Sequence, residues 1–251
     1  MNLITINNLE KSFGGVAAIA DISLDIPSNR IVAIIGPNGA GKTTFLNLLC
    51  GFYQADKGQI KLGDLNLIGL PTHKIARSGI CRTFQNLQIF NNMSCMENTM
   101  VGTHLNFSTN FIQAMFRTKK VRIQEKQAKK QAEEALDFCG LSSFKNSMAN
   151  QLSYGDLKKL EIARAIAASP KILLMDEPAA GLNDTETKQM GALLQKIKNN
   201  GISVILVEHN MELVMQQSDY IFVLDFGSLL SQGTPADIQK NPDVIKAYLG
   251  S

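Results

Sequence analysis

The chain contains three short apolar runs of strand length, each bounded by turn residues. They occupy residues 31–35, 172–175 and 203–207. Continuous runs of β-branched and aliphatic residues, without alternation, are typical of strands that are buried on both faces of a parallel sheet. Segments with a helical pattern lie between the runs. The pattern therefore predicts an α/β core.

Two other regions depart from this plan. Residues 1–30 and 57–70 show shorter alternating runs, and Gly63-Asp64 separates two of them. This pattern predicts a hairpin and a small antiparallel sheet, although the second region taken alone also fits an ordinary surface hairpin. From about residue 94 to residue 168 no buried strand is evident, and the pattern there indicates a helical insert.

We therefore predict a single domain over residues 1–251 that has two parts. An α/β core with the antiparallel β subdomain comprises residues 1–86 and 166–251, and a helical subdomain comprises residues 87–165. No internal repeat or low-complexity segment interrupts this plan.

The composition is that of an ordinary globular protein and argues against disorder, with 45% hydrophobic and 19% charged residues. The net charge of +3 is too small to indicate a nucleic-acid binder. No apolar run approaches the ~20 residues that cross a bilayer, and the first residues lack the pattern of a signal peptide. Any work at a membrane is therefore predicted to be that of a peripheral subunit.

The four cysteines are predicted to be reduced core residues. Cys50, Cys81, Cys95 and Cys139 form no C-x-x-C pair, and their spacing fits no zinc site. A chain of this length buries most of its surface, so it needs neither disulfides nor a metal to hold a core.

Residues 36–43, the phosphate loop, match the pattern G-x-x-x-x-G-K-[ST] in full. An apolar strand precedes the match, a helical pattern follows it, and Gly51 stands where a helix would stop. In such a loop, backbone N–H groups wrap around phosphates at a helix N-terminus, the lysine contacts the β- and γ-phosphates, and the hydroxyl binds Mg²⁺. The predicted nucleotide-binding residues are Gly36, Asn38, Gly39, Ala40, Gly41, Lys42, Thr43 and Thr44.

A chance match is a weak alternative explanation of the phosphate loop. At average residue usage, a chain of this length matches the pattern on the order of once in a hundred times, and the strand–loop–helix context lowers that figure. The chain has no Asn-Lys-x-Asp tetrad of the kind that reads guanine, which favours ATP over GTP.

An acidic pair follows the apolar run at residues 172–175. Asp176 and Glu177 end this run, and successive residues at a strand end point in different directions. Asp176 can therefore supply a second Mg²⁺ contact, while Glu177 can polarise an attacking water as a general base. An acidic pair after a strand is usually a solvated turn, but beside a phosphate loop the catalytic interpretation is favoured.

Residues 152–156 read Leu-Ser-Tyr-Gly-Asp and precede a further helical pattern. Ser153 is a good N-cap, and Gly155 permits a close backbone approach. This is a second helix N-terminus suited to an anion, although taken alone it is only a capped helix.

These three segments, in this order and spacing, resemble the nucleotide-binding subunit of ABC transporters, and the resemblance covers the whole chain. It implies a P-loop NTPase (RecA-like) α/β core with a small antiparallel β subdomain and a helical insert. It also implies a head-to-tail dimer in which ATP lies between the phosphate loop of one subunit and residues 152–156 of the other. Ser153 and Gly155 would then act in trans, and the second ATPase subunit would be either a copy or a paralogue.

The resemblance assigns roles to further positions. Phe13 matches the aromatic residue that stacks on adenine, and Gln85 matches the glutamine that contacts Mg²⁺ and the water and senses the transmembrane partner. Residues 180–183 match the loop that crosses the dimer interface, and His209 matches the histidine that contacts the γ-phosphate. By this resemblance the catalytic residues are Lys42, Gln85, Glu177 and His209, and the Mg²⁺ ligands are Thr43, Gln85 and Asp176.

Residues 152–156 depart from the usual Leu-Ser-Gly-Gly-Gln of the family at Tyr154 and Asp156. Tyr154 adds bulk near the dimer interface, and Asp156 adds a negative charge near the phosphates. This variant form, together with residues 160–164, 176–183 and 241–250, resembles the ATPase subunits of branched-chain amino-acid importers.

That closer resemblance implies an energy-coupling ATPase that uses ATP and Mg²⁺ to power import of branched-chain or other hydrophobic amino acids. It implies transmembrane permease subunits as partners, an extracytoplasmic solute-binding protein as an indirect partner, no nucleic acid, and a place at the cytoplasmic face of the cell membrane. The ATPase of a different importer (urea or amide type) or of a lipid exporter stays open, because solute specificity lies in the other subunits.

Two more distant alternatives fit less well. A soluble ABC protein of translation or DNA repair normally carries two tandem cassettes or a long coiled coil, and this chain has neither. A non-catalytic nucleotide-binding regulator would be expected to lack the base or the histidine, whereas Glu177 and His209 are both present.

Seven basic residues lie between Arg117 and Lys130, with Glu125 as the only acid, and apolar residues such as Phe107 and Phe116 precede them. A solvated helix face is the commoner explanation of such a run. Contact with the anionic cytoplasmic leaflet, at about 1 kcal/mol per charge, is the alternative.

Overall fold

The computed structural model describes residues 2–106 and 119–249. The strands are β1 (Asn2–Phe13), β2 (Val16–Pro27), β3 (Ile31–Ile35), β4 (Lys57–Leu62), β5 (Leu65–Asn66), β6 (Ile80–Thr83), β7 (Ile172–Asp176), β8 (Ser203–Val207), β9 (Tyr220–Asp225) and β10 (Ser228–Gly233). The helices are α1 (Lys42–Leu49), α2 (Thr72–Arg77), α3 (Cys95–Gly102), α4 (Lys119–Phe138), α5 (Tyr154–Ala167), α6 (Asp184–Asn199), α7 (Met211–Gln217), α8 (Pro235–Lys240) and α9 (Pro242–Leu249).

Six strands form one sheet in the order β10-β9-β3-β8-β7-β6. All neighbours are parallel except β9 and β10. The three apolar runs of the sequence are β3, β8 and most of β7, and all three strands are buried, so the predicted parallel core is confirmed. Val207 is level with Ile34 on one side and Asp176 on the other. The segments that follow β3, β7 and β8 therefore leave the sheet at the same edge.

The sequence reasoning did not identify β6, β9 and β10. β6 pairs with β7, but Arg82 interrupts its apolar run, and inside the structure the charge of Arg82 is met by Asp176. β9 carries a buried apolar run over residues 221–224, a signal that could have been found. β10 is an edge strand with alternating exposure, and its mixed residues carry little pattern.

The N-terminal region forms the predicted antiparallel sheet, in the order β2-β1-β4-β5. β1 and β2 are each 12 residues long, and register shifts along the pair interrupt the alternation that the sequence shows. The hairpin around Gly63-Asp64 is present, and β4 pairs with β1, so the hairpin is part of this sheet. α1 joins the two sheets, because Phe45 shares one apolar core with Ile4 of β1 and Phe222 of β9.

Between β6 and β7, the part of the chain that the structure describes holds helices and 3₁₀ turns and no strand, as the predicted insert requires. α3, α4, α5 and α6 share a second apolar core with the parallel sheet, with Leu136, Leu160 and Leu194 among its members. α5 runs to Ala167, beyond residue 165, and the subdomain boundaries stay a prediction. No helix within the described ranges is long and apolar enough to cross a membrane.

The cysteines behave as core residues. All four are free thiols, and Cys50, Cys95 and Cys139 are buried. Burial raises the pKa of Cys50 to about 11 and that of Cys139 to about 12. Both therefore stay protonated near neutral pH, and the reactive thiolate does not form.

The basic run is described only from Lys119, where α4 begins. Arg117 and the apolar residues from Phe107 to Phe116 lie outside the described residues. The side chains of Arg122, Lys126, Lys129 and Lys130 are exposed, which agrees with a solvated face and leaves lipid contact a prediction.

Candidate active site

The phosphate loop passes from β3 to α1 in a conformation that two of its glycines make possible. A Cβ atom at Gly36, where φ is +152°, would lie 2.1 Å from the carbonyl oxygen of Leu224. A Cβ atom at Gly41, where φ is +99°, would lie 2.4 Å from the carbonyl oxygen of Ala18. Both positions therefore require glycine, and the loop is backed directly by β9 and β2.

The helix that follows begins at Lys42, with Gly41 as its N-cap. Its first turn holds Thr43, which is exposed, and Thr44, which is half-buried. In the loop itself, Asn38 and Gly39 are exposed, whereas Ala40 is buried. An open loop at a helix N-terminus is suited to bind phosphate groups.

Lys42 lies along the phosphate loop. Its Nζ donates to the carbonyl oxygens of Gly36 at 2.7 Å and Pro37 at 2.9 Å. Burial lowers the pKa of Lys42, while the carboxylates of Glu177 and Asp176 act in the opposite direction. The lysine and the acidic pair, which are far apart in sequence, therefore belong to one electrostatic site.

Asp176 is buried at the end of β7 and is paired with Arg82, which the sequence reasoning missed. Nη2 of Arg82 lies 2.7 Å from Oδ2 of Asp176, and both side chains are 6% exposed. Nη1 of Arg82 donates to Oδ1 of Asn47 at 2.6 Å, and the guanidinium lies 5.1 Å from the centroid of the Phe84 ring. The arginine fixes the carboxylate through Oδ2, so Oδ1 is the atom suited to a metal.

Gln85, Glu177 and His209 come from three different loops, and the carboxylate of Glu177 contacts both of the other side chains. Nε2 of Gln85 donates to Oε2 of Glu177 at 2.8 Å, and Nε2 of His209 lies 3.2 Å from Oε1. Glu177 has a φ of +50°, an uncommon value for a residue with a side chain, and its N–H donates to the carbonyl of Val207 at 2.8 Å. Strained backbone of this kind clusters at active sites.

Glu208 is a further residue that the sequence reasoning missed. It is 3% exposed. Its Oε1 accepts the N–H of Ala179 at 2.7 Å, and its Oε2 accepts the N–H groups of His209 at 3.0 Å and Asn210 at 3.2 Å. Glu208 therefore ties the segment after Glu177 to the segment that carries His209. The available signal was an acidic residue at the end of a buried strand.

Ser153 is the N-cap of α5, as predicted, and accepts the N–H of Asp156 at 3.1 Å. Its Oγ donates to Oδ2 of Asp156 at 2.8 Å, and Nζ of Lys159 lies 3.2 Å from Oδ1. The carboxylate of Asp156 is thus paired with Ser153 and Lys159 at the N-terminal end of its own helix. Asp156, which replaces the usual glutamine of the family, therefore takes part in capping the N-terminus of α5.

Tyr154 and Gly155 pack against the segment that begins α6. A Cβ atom at Gly181 would lie 3.1 Å from Cε1 of Tyr154, and a Cβ atom at Gly155 would lie 2.6 Å from Oε1 of Glu186. Glu186 in turn forms the capping box of α6 with Asn183. The structure therefore places Tyr154 beside Gly181 and Gly155 beside Glu186 of the same chain. The action of Ser153 and Gly155 in trans stays a prediction.

Phe13 lies beside the turn that joins β1 and β2, and it is 42% exposed. Gly14 and Gly15, both with positive φ, form the two-residue turn. The ring of Tyr53 meets Phe13 edge-on with the centroids 5.0 Å apart, and Nζ of Lys11 lies 5.3 Å from the Phe13 centroid. An exposed, supported aromatic ring is suited to stack on a nucleobase.

The fold and the clustered site residues define an ATP-binding cassette, and the chain belongs to the ABC transporter family. The family model described as ABC transporter matches residues 19–180. A second model, described as branched-chain amino acid ATP-binding cassette transporter, matches residues 228–251.

Individual relatives are similar over the whole chain. The high-affinity branched-chain amino acid transport ATP-binding protein BraF of Pseudomonas aeruginosa is 45% identical over 99% of this chain and 98% of its own. The protein of the same description named LivG in Escherichia coli K12 is 43% identical with the same coverage. A solved nucleotide-free ATP-binding cassette from an ABC transporter is 28% identical, covers 100% of both chains and superposes with a TM-score of 0.87, which confirms the predicted fold class.

Proposed function

We propose that this chain is the ATPase of an importer for branched-chain amino acids, in which MgATP hydrolysis drives membrane-spanning subunits in other chains. The enzymatic part rests on one observation: Gln85, Glu177 and His209 meet at the edge of the sheet where the phosphate loop begins. The solute is supported by the similarity to BraF and LivG, which are ATP-binding proteins of branched-chain amino acid transport, and by the family-model match at residues 228–251.

The residues present fit a Mg²⁺ ion. The Thr43 hydroxyl, the Asp176 carboxylate and the Gln85 amide provide the oxygen ligands that Mg²⁺ prefers, and Mg²⁺ usually adds phosphate oxygens and waters. When bound, the ion neutralises charge on the β- and γ-phosphates.

The side chains of the site then have separate tasks. Lys42 contacts the β- and γ-phosphates with its ammonium group, and Glu177 accepts the proton of the attacking water. Gln85 holds the Glu177 carboxylate and orients the water, while His209 contacts the γ-phosphate. Phosphoryl transfer of this kind depends mainly on positioning and on stabilisation of charge, and this site supplies both.

In the proposed assembly, two cassettes lie head to tail, and Ser153 and Gly155 of one subunit close on the nucleotide bound by the other. The capped N-terminus of α5 suits a phosphate because its free N–H groups and its dipole favour negative charge. Permease subunits at the cytoplasmic face of the cell membrane sense this closure near Gln85, and an extracytoplasmic binding protein delivers the solute.

Purification of the chain with its native membrane partners, followed by reconstitution with the binding protein in proteoliposomes, tests the proposal. Leucine-loaded binding protein is expected to stimulate phosphate release, and the Glu177→Gln complex is expected to show no stimulation. Stimulation by urea, an amide or a lipid instead of leucine would contradict the assigned solute. Absence of phosphate release under every condition would contradict the ATPase assignment.

A further inference from the structure

α5 carries two buried charged residues on one face. Lys158 and Glu161 are each 3% exposed, although charged side chains are almost never fully buried without partners. They lie three residues apart and are therefore neighbours on the helix surface. Their hydrogen-bond partners are backbone groups of the segment around Gln85 and of Glu177.

Lys158 contacts the backbone of two of the three loops that carry the proposed catalytic group, those of Gln85 and Glu177. Its Nζ donates to the carbonyl oxygen of Gln85 at 3.3 Å and to that of Glu177 at 3.4 Å. The ammonium also lies 5.7 Å from the centroid of the Tyr154 ring, which packs on Gly181. The tyrosine that departs from the family pattern thus covers this lysine.

Glu161 contacts the same segment with the opposite polarity. Its Oε1 accepts the N–H of Phe84 at 3.2 Å. Arg164 approaches Glu161 to 4.0 Å. The cation on α5 therefore contacts the carbonyl of Gln85 and the anion contacts the N–H of the preceding residue, Phe84, so the pair holds the backbone at Gln85.

Simple packing of α5 on the sheet does not explain these contacts. Packing alone is served better by apolar residues of similar size, because burial of a charge requires loss of its hydration. Buried charges that match backbone polarity instead select one register between a helix and its neighbour. Here the neighbour is the segment that carries Gln85.

We propose that Lys158 and Glu161 are positioning residues for hydrolysis, which fix Gln85 and Glu177 relative to α5. The inference rests on the proposed ATPase function and deepens it. Ser153, the N-cap of α5, faces the partner's nucleotide in the proposed dimer. Movement of that helix end would therefore displace the catalytic group of its own chain, which couples the two nucleotide sites.

The first test does not depend on activity. In Lys158→Met/Glu161→Met both charges are removed together, because removal of one would leave the other buried alone. Hydrogen exchange of the Phe84 amide is expected to accelerate by roughly tenfold or more, since its acceptor is gone. Lys188→Met/Glu212→Met, the same changes at exposed positions, is the matched control and leaves this exchange unchanged.

The second test separates positioning from nucleotide binding. The double variant is expected to keep its MgATP affinity within about twofold while phosphate release falls by roughly tenfold or more. Lys158→Arg, whose guanidinium can still donate to both carbonyls, is expected to retain about a third or more of wild-type turnover. In a Gln85→Ala background, the double change is expected to lower turnover by less than about twofold further.

Unchanged exchange at Phe84 would overturn the proposal whether or not the chain hydrolyses ATP. Turnover that stays near the wild-type value, or that falls by the same factor in the Gln85→Ala background, would also overturn it. If the wild-type protein releases no phosphate, the proposed ATPase function fails, and the exchange measurement still decides whether the two residues hold this segment.

Discussion

Arg82→Met is expected to lower the free energy of unfolding by about 3–5 kcal/mol, the range found when one partner of a buried ion pair is removed. The Arg82–Asp176 pair has a nitrogen–oxygen distance of 2.7 Å, and both side chains are 6% exposed. Methionine fills much of the same space but leaves the carboxylate buried without its cation. A chain of this size loses about 2–4 °C of melting temperature per kcal/mol, so a fall of roughly 6–20 °C is expected.

The measurement is urea unfolding and thermal unfolding at fixed pH, with Arg30→Met as the matched control. Arg30 pairs with Asp219 at 3.3 Å but is 57% exposed, and exposed pairs contribute about 0–1 kcal/mol. Arg82→Lys keeps the positive charge but lacks the planar guanidinium, and its free energy of unfolding is expected to lie between those of wild type and Arg82→Met. Equal losses at positions 82 and 30 would refute the reasoning, because Asp176 would then not depend on its buried partner.

Three further changes test separate parts of the site and the fold. Lys42→Ala is expected to weaken MgATP affinity by about tenfold or more in equilibrium binding, since it removes a charge from the phosphates; equal affinity would refute this role. Glu208→Gln replaces one acceptor oxygen with an amide nitrogen and is expected to slow phosphate release by roughly tenfold or more at unchanged affinity, whereas wild-type turnover would contradict the positioning role. Burial disfavours ionisation of Asp219, but the Ile31 N–H and the Lys198 ammonium bring its pKa below its ordinary value. The carboxylate therefore stabilises the fold above its unfolded pKa of about 4, and this contribution is lost as the pH falls through the folded pKa. Acid unfolding curves of Asp219→Asn and wild type should converge at low pH, and parallel curves would contradict this.

The core strands and the phosphate loop could be predicted because their signals are local. β3, β7 and β8 are unbroken apolar runs, and burial on both faces of a parallel sheet requires that pattern. The loop at residues 36–43 combines glycines, a lysine and a threonine at fixed spacing, and two of those glycines fill positions where a Cβ atom would collide with backbone.

The charged residues that support the site could not be predicted in the same way, because their partners are distant in sequence. Arg82 pairs with Asp176, 94 residues away, and Glu208 accepts the N–H of Ala179, 29 residues away. Each looks like a surface residue or a break in an apolar run until the topology brings the partner to it. Lys158 illustrates the same point, because its acceptors are backbone carbonyls that carry no sequence signal.

The catalytic role of Glu177 is the central claim, and Glu177→Gln tests it most directly. The variant keeps the shape of the side chain and removes the base. Single-turnover phosphate release from MgATP is measured beside equilibrium MgATP affinity. The account predicts affinity within about twofold of wild type and release slower by about a hundredfold or more. Release within about threefold of wild type would remove Glu177 from the base role and contradict the account.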